Sequence, residues 1–255
     1  MLQYCIDMND FSLMILVIII GSLVSLGAGA LIFLTKQKRK HAINIALPFG
    51  AGALLAAAFF DLLPESFEMA EPRDLLVWTL AGFILFFVLE RTASWFHHHH
   101  DHAEADGHRQ NILMIIGDLL HNCIDGVAIG AAFVASPATG IVTALAVSAH
   151  EIPKEIGTFG ILLSRGWKDK KVLIANMSTA LGTIIFASVV FYLGSESHLP
   201  VAEMLAVTAG FFIYIAASDI IPDIHEQSRK VGTLQALILV ASMAFVATII
   251  RLLGV

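Results

Sequence analysis

The length of the apolar runs constrains this chain more than any other feature. Nearly uncharged stretches cover about residues 11–35, 43–63, 75–96, 172–193, 201–221 and 233–253, and two more fill 111–160. A helix needs roughly 20 such residues to cross hydrocarbon. No water reaches the backbone there, so each run must close its own hydrogen bonds as a helix. The runs are far longer than a tilted barrel strand requires. The expectation is an all-α polytopic membrane protein with eight transmembrane helices, a single domain over residues 1–255.

Composition agrees with this reading. Only 14% of the residues are charged, against about 25% in soluble domains, and 57% are hydrophobic. The net charge of -6 comes with no basic tract interleaved with aromatics, so nucleic acid is not an expected partner. Residues 1–10 lack a basic n-region, and the first run reads as a retained helix rather than a cleaved leader. Cys5 lies near the start and Cys123 inside a run, which makes a structural disulfide an unsuitable expectation. The lipid bilayer is the expected surrounding, with a homodimer as a candidate assembly.

The links set the orientation. Lys36, Lys38, Arg39 and Lys40 follow the first run, Arg91 and Arg109 flank the third link, Arg165 and Lys168 follow the fifth run, and Arg229 and Lys230 follow the seventh. The other links hold almost no basic residues, Arg73 excepted. The positive-inside rule then puts both termini outside, in a plasma membrane and for a bacterium the inner one. The third link, residues 94–110, reads as a His-rich cytoplasmic loop with His97–His100, His102 and His108, a soft cation-binding tract.

Polar groups concentrate in 111–160. Asp118, His121, Asn122 and Asp125 are set into the fourth run, and His150, Glu151, Lys154 and Glu155 into the fifth. Such groups cost several kcal/mol each in lipid unless they pair, face a cavity or bind an ion. His121 and Asp125 are i and i+4 and share a helix face, as do His150 and Lys154, and Glu151 and Glu155. Pro153 cannot bond the carbonyl of Ala149 and should kink its helix. Imidazole with carboxylate suits Zn²⁺, Fe²⁺, Co²⁺ or Ni²⁺. A metal site between helices 4 and 5 is the leading expectation, with a helix-locking polar network and a proton relay as the alternatives. The run His150-Glu151-Ile152-Pro153-Lys154 also imitates the H-E-x-x-H of zinc proteases, so an intramembrane zinc metalloprotease is a rival. Its second histidine is a lysine here.

HNCIDGVAIG and HEIPKEIGTFGILL together resemble the paired signatures of the ZIP (Zrt-, Irt-like) metal transporters, in the branch with HNxxDG and HEIPxE motifs. GAGALLAAAFFDLLPES, NMSTALGTIIF and FIYIAASDIIPDIHE are similar to that family's second, sixth and seventh helices. The resemblance implies inward transport of divalent cations, chiefly Zn²⁺ and also Fe²⁺, Mn²⁺ or Cd²⁺, with no cofactor and no catalysis. It implies a first metal at His121, Asp125 and position 154, and a second at Asn122, Glu151, position 154 and Asn176. Asp61, Asp118 and Glu155 are assigned to the pathway. Position 154, usually a bridging His or Glu, is Lys154, and position 158, often Asp, is Thr158. An ammonium cannot ligate a metal while protonated. The expectation is one ion held by His121, Asp125 and either His150 or Glu151. Lys154 would then be a charge substitute rather than a ligand, paired with Glu151, Asp118 or Asp125.

Overall fold

The structure, a computed structural model, describes residues 8–29, 36–98, 107–164, 166–195 and 199–254. Among them the chain forms eight long helical rods. The first is α1 (Met8–Gly29). The second joins α2 (Lys36–Ala57), a π-helical turn (Ala58–Leu62) and α3 (Leu63–Met69). Then come α4 (Pro72–His98), α5 (Gly107–Ala135), α6 (Pro137–Ser164) and α7 (Asp169–Ser195). The seventh rod joins α8 (Val201–Tyr214), a second π-helical turn (Ile215–Ile220) and α9 (Ile221–Glu226), and α10 (Arg229–Leu253) is the eighth.

Two boundaries of the second rod differ from the sequence reading, and the link at 94–110 is helical at 94–98 and 107–110. The basic stretch from Lys36 is helical, so α2 begins ahead of the apolar run at 43 and Pro48 lies inside it. The second rod also continues past Pro64, because Pro64 sits at the start of α3 just behind the π turn. Proline lacks an N–H and its ring collides with the carbonyl four residues back. A locally widened turn absorbs both defects. Pro222, just behind the second π turn, repeats the device, and both prolines follow an Asp-x-x-Pro run. Of the His tract, residues 99–106 lie outside the described residues, as does Cys5.

Seven rods are long and apolar enough to cross a bilayer. The one left over is α6, which spends part of its 28 residues on the polar cluster. It is also enclosed by other rods, touching α1, α2, α5, α7 and α10. Polar residues point inward: Asp118, Asn122, Asp125, His150, Glu151 and Asn176 are all buried. Large apolar side chains point outward, as along α4 at Leu76, Val77, Leu80, Ile84, Phe87 and Val88. That inversion suits lipid and not water.

Small residues bring the rods together in pairs. A Cβ on Gly126 or Gly130 of α5 would collide with the α7 backbone at Thr183 or Ala187. Gly82 of α4 lies on Val207 of α8, and Gly210 of α8 lies on Thr79 of α4. Backbones this close gain dispersion along their length, the usual adhesive between helices in lipid. α5 with α7, and α4 with α8, are therefore tightly joined pairs.

Candidate metal centre

The site forms where α5 faces α6. His121 and Asp125 project from one face of α5, and His150 projects from α6 to meet them. His121 Nε2 lies 3.2 Å from His150 Nε2 and 3.7 Å from Asp125 Oδ2. One ligand atom from each of the three residues falls within 4.8 Å of the others. Two nitrogens each about 2.0–2.1 Å from a tetrahedral ion stand roughly 3.3 Å apart, so the imidazoles are already spaced for one metal. Asp125 Oδ2 is buried with no hydrogen-bond partner, so it is an acceptor awaiting a cation. His150 Nδ1 lies 3.3 Å from Ala146 O, the geometry in which Nδ1–H donates and Nε2 keeps its lone pair for a ligand.

Lys154 stands beside this trio and belongs to a different network. Its ammonium lies 2.9 Å from Asp118 Oδ1 and 3.2 Å from Glu151 Oε1. The other Asp118 oxygen accepts a 3.0 Å hydrogen bond from Thr179 of α7. His150 and Glu151, the two candidates for a third ligand, are placed differently. The two are adjacent on α6 and diverge by about 100°, so His150 faces the trio while Glu151 turns to Lys154.

The two asparagines are engaged elsewhere. Asn122 Nδ2 donates to Asp118 O at 2.9 Å, and its Oδ1 accepts from Thr183 at 3.0 Å. Asn176 Nδ2 donates to Val172 O at 3.0 Å. Neither residue is brought to the trio. Glu155 is buried near Asp118, Glu151 and Lys154, and its Oε2 has no partner. Asp61, in the first π turn, is buried beside Thr139 with neither oxygen well bonded. Thr139 precedes His150 by eleven residues of α6, which places Asp61 on the order of 16 Å along the helix from the trio.

A cavity of about 390 Å³ reaches His121, Asp118 and Lys154 from the side of Thr92 and Met114. Thr158, Glu90 and Phe86 also line it, and Glu90 Oε2 is buried without a partner. The sequence reading gave Glu90, Met114 and Phe86 no role. Glu90 sits near a span end where acids are ordinary, and Phe86 carries no polar signal at all.

Comparison with known proteins fits this arrangement. The family described as ZIP Zinc transporter matches residues 11–111 and 97–250. "Zinc transporter ZIP13" of Pongo abelii is 30% identical over 213 residues, covering 77% of this chain and 63% of that protein. "Zinc transporter foi" of Drosophila melanogaster is 42% identical over 121 residues, 47% of this chain and 17% of that protein. "Metal cation symporter ZIP14" of Xenopus tropicalis is 26% identical over 281 residues, 82% of this chain and 60% of that protein. The chain therefore spans less than two thirds of the length of these relatives. With paired rods, a His–Asp–His trio between the fourth and fifth of them, and a match along nearly its whole length, the chain belongs to the ZIP zinc transporter family.

Proposed function

We propose that this chain carries divalent cations across a membrane toward the cytoplasm, with Zn²⁺ as the principal cargo and Fe²⁺, Mn²⁺ and Cd²⁺ as lesser ones. The reading rests on two imidazole nitrogens 3.2 Å apart beside an unpartnered, buried carboxylate oxygen. Two nitrogen lone pairs at that distance repel unless a proton or a cation lies between them. Imidazole and carboxylate together favour borderline metals over hard ones. His121, Asp125 and His150 supply three donors to replace water. A fourth position stays open for exchange, which suits an ion that must leave as well as bind. The relatives' names, zinc transporters and a metal cation symporter, support the same cargo.

In this proposal one ion is bound and not two. Lys154 supplies fixed positive charge where a second ion would sit, and Glu151 and Asp118 are its counter-ions. Asn122 ties α5 to α7 through Thr183, and Asn176 bonds within its own helix. Asp61 marks the outer approach. Asp118 lines the inner route, which is the cavity, and Glu155 lies behind it near Asp118. The distribution of Lys and Arg supports both termini outside, the His-rich link of residues 94–110 on the cytoplasmic side with its two ends helical, and a plasma membrane, for a bacterium the inner one. Residues 1–255 act as a single transporter domain. No covalent bond is made or broken, and Lys154 in place of a second histidine leaves the protease reading short of a ligand.

The test is Zn²⁺ uptake by sealed vesicles holding the full chain. His121→Ala and Asp125→Ala should each lower uptake at least tenfold, roughly the loss seen when even an outer-shell partner of a metal site is removed. Normal uptake by both variants would remove the reading. Zinc-dependent cleavage of a protein substrate, abolished by Glu151→Gln, would replace it with the protease.

A further inference from the structure

We infer that Phe86 of α4 is a positioning residue for the metal ligand His121, and that through it the site's affinity depends on α4 staying packed against α5. This rests on the metal-site reading above. The two histidines are held by different means. His150 is fixed in rotation by the contact of Nδ1 with Ala146 O. Metal-binding histidines usually have such a partner. His121 has none: among the described residues no group accepts a hydrogen bond from its Nδ1. Its side chain also keeps 20% of its surface exposed, so burial alone does not hold it.

Aromatic packing takes the place of that hydrogen bond. The Phe86 ring meets the His121 ring at 5.5 Å between centroids and 88° between planes. This edge-to-face geometry is the favoured one for two rings. The Phe86 ring is itself immobilised. It is buried, and it packs on Phe211 at 5.5 Å and Tyr214 at 5.6 Å, both on α8. One turn away Gly82 lies on Val207, and Gly210 lies on Thr79, so α4 and α8 have no slack between them at this level. Phe86 is thus part of the rigid α4–α8 pair.

His121 rides on the other pair, α5 with α7. Between the two pairs, α4 and α5 meet only sparsely, and the cavity opens between them. A shift of α5 along α4 would carry His121 off the Phe86 ring while its helix-mate Asp125 stayed in step with it. The imidazole would then have to be ordered by the metal alone, at a cost in rotational entropy. An ion moves a conformational equilibrium only through its different affinity for the two states. The Phe86 contact supplies such a difference without being a ligand.

The test uses the full chain in detergent with Co²⁺ as a spectroscopic probe. Phe86→Leu should bind the same number of ions about three- to tenfold more weakly, the worth of one aromatic pair, with an altered ligand-field band. Phe86→Tyr, which keeps the ring at nearly the same volume, should restore affinity and band. In a His121→Gln background Phe86→Leu should have no further effect, because the ring it positions is gone. A general packing defect would lower affinity equally in both backgrounds. If Phe86→Leu does not fold, Phe86→Met fills the space without a ring and serves the same cycle. An unaltered affinity and band in the ringless variant, or full additivity with His121→Gln, overturns the inference. If His121→Gln and Asp125→Asn themselves leave Co²⁺ binding intact, the metal-site reading fails first and takes the inference with it.

Discussion

Lys154→Met removes a charge while keeping most of the side chain's volume. In the wild-type structure the ammonium answers two carboxylates, Asp118 at 2.9 Å and Glu151 at 3.2 Å. Breaking a fully buried pair costs about 3–5 kcal/mol, because a charge is left unpaired. Lys154 keeps 23% of its side-chain surface exposed, against 6% for Asp118 and 8% for Glu151. Partial solvation at the lysine end trims the cost to roughly 2–3 kcal/mol. For a chain of this size that corresponds to a Tm about 5–10 °C lower in metal-free protein. The vacancy between two carboxylates should then accept a second divalent ion. At a free concentration a hundred times its Kd, such an ion returns about 2.7 kcal/mol, close to what the ammonium supplied. Thermal unfolding with chelator and with Zn²⁺, and elemental analysis of bound metal, measure both effects. Deleting residues 97–102 in both proteins first removes ions held by the histidine tract. An unchanged metal-free Tm would show that Lys154 does not neutralise the pair. A metal count that stays at one with Zn²⁺ in excess would show that it is no substitute for an ion.

Two further outcomes are expected. His150→Ala should abolish high-affinity Zn²⁺ binding, whereas Glu151→Gln should leave one ion bound, as equilibrium dialysis of purified protein can measure; equal losses would contradict the divergence of the two side chains. Asp61→Asn should leave that bound ion's affinity unchanged but lower uptake at limiting Zn²⁺ on the order of tenfold, if Asp61 attracts the incoming ion as proposed; initial-rate measurements across Zn²⁺ concentrations distinguish this from a loss of site affinity.

Much of this architecture is legible in the sequence, and what is not has physical reasons. Apolar runs longer than a bilayer span leave few alternatives to helices, and the i,i+4 spacing of His121 and Asp125 fixes their common face in any helix. The choice between His150 and Glu151 is different. Adjacent residues point about 100° apart, and the rotation of α6 decides between them. That rotation is set by neighbours distant in sequence, including Gly50 of α2 against the backbone of Ala149 and His150, and Gly21 of α1 against Ser148. The π turns escape notice because proline signals an end more often than a widened turn, so Pro64 reads as an exit. Phe86 escapes because an aromatic in an apolar run looks like every other lipid-facing residue until α8 is packed against it.

The enclosure of α6 bears on how the chain enters its membrane. Glu151, Lys154 and Glu155 near the middle of one helix each oppose insertion by roughly 2.5–3.5 kcal/mol when that helix faces lipid alone. α5 ends at Ala135 and α6 starts at Pro137, so a single residue, Ser136, joins them, and its hydroxyl accepts the Thr139 N–H at 3.0 Å. A joint this short makes the two helices one hairpin. Lys154 then finds Asp118 across the hairpin before any later helix has been made, and two opposite charges enter hydrocarbon as a pair. A glycosylation reporter placed after Ser164 should register α6 as spanning when α5 precedes it and as non-spanning when α6 is presented alone. The charged residues of α6 would then dictate the order of assembly, with α6 unable to enter ahead of its partner.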